Sequence, residues 1–149
     1  MTQKIIFIKA GWHADIVDQA LLGFRERVAE HDASGYEVIV YDVPGAFEIP
    51  LLAQKLAKDP TVAAVVGAAF VIDGGIYRHE FVAEAVVSGL MDVQLKTETP
   101  VFSMVLTPHD FSEGNKENVQ FFSAHFVTKG SEAADAVVET LKIHNALAK

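Results

Sequence analysis

Ala68-Ala69-Phe70-Val71-Ile72-Asp73-Gly74-Gly75-Ile76-Tyr77-Arg78-His79-Glu80-Phe81 is the stretch on which the fold turns. Its apolar first part reads as a buried strand and Gly74-Gly75 break it. A helical pattern then begins at once, with Phe81, Val82, Ala85, Val86, Gly89, Leu90 and Val93 on one face. A strand running through glycines into a helix start predicts free backbone N–H groups and a positive dipole end at one point, the makings of an anion site. The simpler alternative is a tight turn that needs a glycine at positive φ. The stretch is no P-loop, since the lysine–serine/threonine pair is missing, and no dinucleotide fingerprint, since the third glycine is missing. Arg78 and His79, expected about one turn into the helix, add a fixed charge and a titratable group. Two basic residues at the positive end of a helix are poorly explained by solvation alone.

Working outward, Lys4 to Ala10 is a β-branched run and predicts a buried strand. Gly11-Trp12-His13 turns it into a helix with Val17, Ala20, Leu21, Phe24 and Val28 on one face, closed by a glycine stop in His31-Asp32-Ala33-Ser34-Gly35. Tyr36 to Val43 is a second strand, ended by Pro44-Gly45. A second helix runs from Glu48 to about Lys58, with Pro50 in its first turn and Asp59-Pro60 after it. Val62 to Ile72 is the third strand, apolar on both faces as a central parallel strand should be. Val101 to Leu106 is the fourth, ended by Thr107-Pro108. A polar loop through His109, Asp110 and Glu113-Gly114 leads to an irregular helical piece holding Phe121, Phe122, His125 and Phe126. After Lys129-Gly130 a last helix is expected to bury Ala134, Val137, Val138, Leu141 and Leu147.

Strands alternating with helices predict a single α/β domain over residues 1–149, with a four-stranded parallel sheet between two helical layers. Ligands in such folds sit beyond the carboxyl ends of the strands. Those ends are Gly11-Trp12-His13, Pro44 to Glu48, Asp73-Gly74-Gly75 and Thr107, and the unusual residues of the sequence gather there.

Composition narrows the function classes. With 149 residues, half of them hydrophobic, the chain can build a full core and has some apolar surface to spare. A formal charge of −8 makes nucleic acid and anionic membranes poor partners. There are no cysteines, hence no disulfide and no thiolate chemistry. Ile5 to Ile8 is too short for a signal-peptide core, and no apolar run approaches the ~20 residues of a membrane span, so a cytoplasmic protein is expected. No histidines and acids fall at metal-ligand spacing, and no serine sits in a nucleophile elbow, so neither a metal nor hydrolase chemistry is expected.

Trp12, the one tryptophan, is either packed under its loop or a plate for a flat heterocycle, with His13 beside it as a polar contact or an exposed neighbour. Glu48 either serves the helix it opens or accepts hydrogen bonds from ligand hydroxyls. His31, His109 and His144 read as surface residues. His125, among phenylalanines and near Lys129, calls for a partner, and an anion would serve.

Val43-Pro44-Gly45-Ala46-Phe47-Glu48-Ile49-Pro50, Val71-Ile72-Asp73-Gly74-Gly75, Pro100-Val101 with Val105-Leu106-Thr107, and Lys129-Gly130 before Glu132-Ala133-Ala134 together resemble the lumazine synthase family of riboflavin biosynthesis, nearly end to end. The resemblance implies a flavodoxin-like three-layer α/β/α fold and a condensation without cofactor. Its substrates are 5-amino-6-(D-ribitylamino)uracil and 3,4-dihydroxy-2-butanone 4-phosphate. By motif it implies that Trp12 stacks on the pyrimidine, that Ala46, Phe47 and Glu48 hold the ribityl chain and uracil, and that Phe70, Val71 and Ile72 line the ring. Gly74, Gly75 and Ile76 would cradle the phosphate. The family's catalytic histidine falls on Arg78, with His79 one residue later; Arg78 is taken as the catalytic position and His79, the better proton carrier, as its challenger.

The departures point to a branch. Trp12 and His13 stand where phenylalanine and asparagine are commoner, Ile76-Tyr77 replace a threonine-rich turn, Ser103 replaces an aromatic and His125 a lysine. The family's phosphate-binding arginine has no counterpart near Phe121, and the loop ahead of Lys129-Gly130 is longer. This pattern resembles the type II branch, which assembles as a dimer of pentamers, with Ser103 and His125 completing a site on a neighbouring chain. A non-catalytic flavin- or lumazine-binding protein is the rival reading. A flavodoxin-like signalling module would need an acidic cluster at the strand ends, where Asp73 stands alone before the glycines.

Overall fold

The computed structural model describes residues 2–33 and 35–148. Ser34, inside the expected helix stop, lies outside the described residues, as do Met1 and Lys149. Four parallel strands, β1 (Gln3–Ala10), β2 (Tyr36–Val43), β3 (Val62–Phe70) and β4 (Val101–Leu106), pair in the order β2-β1-β3-β4. Between them run α1 (Ala14–Glu30), a single 3₁₀ turn (Ala46–Glu48) continued by α2 (Ile49–Ala57), α3 (Glu80–Thr97) and α4 (Lys116–Leu147).

The side-chain alternation of the two central strands divides the core in two. Ile5 and Phe7 of β1, with Ala64, Val66, Ala68 and Phe70 of β3, pack under α1 and α4. Ile6 and Ile8, with Val65 and Ala69, pack under α2 and α3. The fold is the expected flavodoxin-like α/β arrangement: with both faces covered, the central strands read as continuous apolar runs rather than alternating ones. No helix of the described residues is long and apolar enough to cross a membrane.

Three expectations about elements are corrected. The first concerns α1, which ends with Asp32 in the left-handed region (φ 53) rather than with a glycine stop, a conformation that aspartate tolerates. The second concerns the C-terminal region, which is one continuous helix of 32 residues. Asn115 starts it by accepting from the Glu117 and Asn118 N–H groups at 2.9 and 3.2 Å. Gly130 does not break it, because that glycine serves packing: a Cβ there would lie 2.0 Å from the Ala20 carbonyl oxygen, and one on Gly23 would lie 2.1 Å from that of Val127. Backbone thus meets backbone where α1 crosses α4. Leu147 is exposed, as is every residue of α4 after Leu141.

The third correction matters most for function. β3 ends at Phe70 and α3 starts only at Glu80, so Gly74 and Gly75 lie in an open connection (residues 71–79) and not at the helix start. Arg78 and His79 precede the helix instead of standing a turn inside it. Gly75 adopts φ +86, a left-handed conformation incompatible with a right-handed helix, and its N–H donates to Asp73 Oδ1 at 2.8 Å. That Asx turn uses up the residues that were expected to start the helix.

Candidate active site

The connections that follow the four strands all emerge at one edge of the sheet. β1 leads to β2 on one side and its other neighbour is β3, so the strand order reverses between β1 and β3, where open α/β sheets bind ligands. A cleft of about 440 Å³ opens there, within the ordinary range for small-molecule sites. Trp12 and His13 come to it from the end of β1, and Phe70, Val71 and Ile72 from the end of β3. Gly74, Ile76, Tyr77, Arg78 and His79 come from the 71–79 connection, Val82 from α3 and Glu113 from the β4–α4 connection. Lys9 fixes the end of β1 through ion pairs to Asp42 (2.5 Å) on β2 and Asp18 (2.9 Å) on α1. Those bonds, to Asp42 above all, raise its pKa above the ordinary lysine value.

Trp12 is 43% exposed and packs against Gly45, where a Cβ would lie 2.4 Å from the indole Cζ2. Gly45 itself is extended (φ −151), so it is the approach of the ring, not the backbone, that requires glycine. His13 caps α1 in the left-handed region (φ 52, ψ 49), costly for a residue with a Cβ. Its ring meets Phe70 and Phe111 edge-on, at 5.9 and 5.7 Å between centroids, and its Nε2 lies 3.3 Å from Glu113 Oε1.

Arg78 is mostly exposed, with its guanidinium carbon 5.6 Å from the centre of the Phe81 ring and Nε 3.5 Å from Glu80 Oε1. His79 is largely buried; its Nδ1 is shielded from solvent without a hydrogen-bond partner among the described residues, 3.7 Å from Glu80 Oε2. A fixed cation and an imidazole thus line one cleft with an indole. The cleft suits a flat heterocycle together with an anion.

Other expected site residues lie elsewhere on this chain. Ala46 is buried beneath the 3₁₀ turn, while Phe47 and Glu48 line a separate groove with Leu51, Leu52 and Lys55. Gly75 adjoins the cleft in sequence but does not line it, and its N–H is held by Asp73. Ser103 is exposed on the edge strand β4, its hydroxyl accepting from the Val105 N–H at 3.2 Å. His125 stacks on Phe121 (5.6 Å, 12°) and lines a pocket of about 230 Å³ with Thr107, Pro108 and Lys129. His31 is not the plain surface residue expected: its Nε2 lies 2.6 Å from Asp135 Oδ1, tying α1 to α4. Sequence reasoning missed Glu113, Phe111 and Tyr77. Their only signal was an aromatic residue and a carboxylate in an otherwise polar loop, and an exposed tyrosine after the glycines. Among the described residues no three His, Asp or Glu side chains gather as a metal-holding group.

A profile of the 6,7-dimethyl-8-ribityllumazine synthase family matches residues 2–145. The chain belongs to this family. It is 55% identical over 145 residues to a 6,7-dimethyl-8-ribityllumazine synthase of Rhodococcus erythropolis, covering 97% of this chain and 93% of that protein. A 6,7-dimethyl-8-ribityllumazine synthase 2 of Pseudomonas syringae pv. tomato is 53% identical over 93% of this chain and 81% of its own length. A protein of the same name from Bradyrhizobium diazoefficiens is 51% identical over 93% and 82%. The synthase 2 relatives agree with the type II resemblance, and a synthase of Lactiplantibacillus plantarum at 33% identity stands farther away.

Proposed function

We propose that the protein condenses 5-amino-6-(D-ribitylamino)uracil with 3,4-dihydroxy-2-butanone 4-phosphate, and that it does so in the cleft between Trp12 and His79. Family membership supports the reaction. The observation that carries the location is that one cleft holds an aromatic plate and a basic pair, one for each substrate. The pyrimidine lies on the Trp12 indole, flanked by Phe70, Val71 and Ile72. The phosphate ester sits on the 71–79 connection near Gly74, Ile76 and Arg78. To engage the Gly75 N–H, a phosphate oxygen has to take the place of the Asp73 carboxylate.

The aromatic amine attacks the ketone and the carbinolamine loses water to give an imine. Loss of the proton on the hydroxyl-bearing carbon expels phosphate, the resulting enol becomes a ketone, and the second amine adds to it and loses a second water to close the ring. Holding both substrates in attack geometry can supply ~7–11 kcal/mol. A positioned proton carrier adds ~10²–10⁴-fold. Arg78 remains charged and meets the negative charge that grows on the departing phosphate. The His79 imidazole serves the dehydration as the positioned proton carrier.

Assembly belongs to this reading. Val87, Met91 and Leu95 make an exposed stripe along α3, beside exposed Phe47 and Leu51, an apolar surface of the kind that marks association. Ser103 and His125 lie away from their own chain's cleft, which supports their completing that of a neighbour in a pentamer or a dimer of pentamers. The test is to mix the purified protein with both substrates and follow lumazine absorbance and fluorescence. Lumazine should form, and dilution to monomers should abolish turnover. No product, or full-rate monomers, would contradict the activity or the shared site respectively.

A further inference from the structure

Glu113 is the only carboxylate lining the cleft among the described residues, and neither the motif resemblance nor the mechanism above uses it. The β4–α4 connection (residues 107–115) that carries it is anchored on both sides. Phe111 packs edge-on against Phe70 at 4.9 Å and against Phe122 at 5.6 Å, so an aromatic anchor sits two residues before the carboxylate. The Ser112 N–H donates to Asn118 Oδ1 at 3.1 Å, and the Asn115 N–H to the Ser112 carbonyl at 3.1 Å. These bonds deliver the Glu113 carboxylate to the cleft, where His13 Nε2 stands 3.3 Å away. His13 in turn is held by Phe70 and Phe111 on a strained backbone. The carboxylate is thus placed beside the residue that follows Trp12, while Arg78, the one arginine lining the cleft among the described residues, comes from the 71–79 connection.

Two substrates of opposite character must enter one cleft without exchanging places. The pyrimidine carries amine and hydroxyl donors; the other substrate carries a phosphate ester. A carboxylate accepts hydrogen bonds from the first and repels the second. We propose that Glu113 is a substrate-positioning residue, taking the donor groups of the ribitylaminouracil at the Trp12–His13 end and keeping the phosphate ester at the Arg78 end. The proposal rests on the activity assigned above and adds to it the residue that enforces the order of the two substrates along the cleft.

Glu113→Gln keeps the length of the side chain, leaves the Phe111, Ser112 and Asn115 anchors in place, removes the charge and exchanges one acceptor oxygen for an amide donor. Because a charge-assisted hydrogen bond is roughly twice as strong as a neutral one, KM for ribitylaminouracil should rise about tenfold. KM for the butanone phosphate should stay level or fall, and inorganic phosphate should inhibit the variant at least as well as the parent. A merely structural role would move both KM values together. A ribitylaminouracil KM within twofold of the parent, a parallel rise in both KM values, or weaker inhibition by phosphate overturns the proposal while leaving the activity standing. A parent protein that forms no lumazine overturns the activity itself, and the proposal with it.

Discussion

Replacing Gly45 by alanine tests the indole plate without changing the chemistry of any group that meets substrate. At φ −151 and ψ −177 the backbone accepts alanine freely, so the whole effect is steric. The new Cβ would lie 2.4 Å from Trp12 Cζ2, 2.5 Å from Cε2 and 2.9 Å from Nε1, where ordinary contact begins at 3.4 Å. The indole must therefore retreat by about an ångström. With 43% of its surface exposed, the ring can do so without disturbing the core. The stability loss then belongs at or below the lower end of the ~1–3 kcal/mol range for overpacking. Offset stacking is worth ~0.5–1.5 kcal/mol, so KM for ribitylaminouracil should rise about two- to tenfold. KM for the butanone phosphate should hold. Steady-state lumazine formation reads both constants. Trp12 is the only tryptophan, so intrinsic emission reports the ring's displacement directly. Shifted emission with an unchanged KM would show that the ring does not hold the pyrimidine. Unchanged emission would refute the packing of Trp12 on Gly45.

Further outcomes follow from other parts of the molecule. Gly130→Ala gains about 1 kcal/mol of helix propensity, but its Cβ lands 2.0 Å from the Ala20 carbonyl oxygen, a backbone atom that cannot swing away. A net loss of about 1–2 kcal/mol is expected as a lower urea midpoint, and an unchanged midpoint would contradict the close helix crossing. Asp73→Asn preserves the turn on the Gly75 N–H and removes a charge beside the phosphate position; KM for the butanone phosphate should fall by up to about fivefold, and a rise would count against a phosphate there. The Asp59 carboxyl is held below its usual range, chiefly by the Thr61 N–H and hydroxyl, and the Asp135 carboxyl by His31 and then Arg27. A carboxyl with a depressed folded pKa contributes stability above its unfolded pKa and loses it as pH falls through the folded value. Thermal unfolding should thus drop on acidification below about pH 4, and less steeply in Asp59→Asn and Asp135→Asn, where an acid limb as steep as the parent's would refute the assignment.

Much of the fold was legible because β2 and β4 are β-branched or apolar runs bounded by glycine and proline, and both match their expected limits. β3 was read two residues too long for an understandable reason: the Val71 N–H still donates to the Leu106 carbonyl at 2.9 Å, although the strand ends at Phe70. Gly130 misled because a glycine that ends a helix and one that lets a second helix touch the backbone look alike in sequence. The start of α3 misled because the Asp73–Gly75 turn is a local competitor of the helix, and periodicity does not register it. At the site, Trp12 was legible from its place at a strand end, and Arg78 and His79 from following the Gly74-Gly75 break, although the helix they were expected to lie in starts only at Glu80. Glu113 was not, since its place in the cleft depends on Phe111 packing against Phe70, forty-one residues earlier in the chain. Phe47 and Ser103 were reached by resemblance alone, Glu48 and His125 also by their setting in the sequence, and this chain by itself keeps all four out of the Trp12 cleft.

That the Trp12–His79 cleft carries the condensation is tested most directly by the turnover of the double variant Arg78→Ala/His79→Ala at saturating concentrations of both substrates, with ribitylaminouracil binding followed in parallel through Trp12 emission. Turnover should fall by ~10²–10⁴-fold while the pyrimidine still quenches Trp12 with near-parent affinity. A double variant that forms lumazine at close to the parent rate would place the chemistry somewhere else.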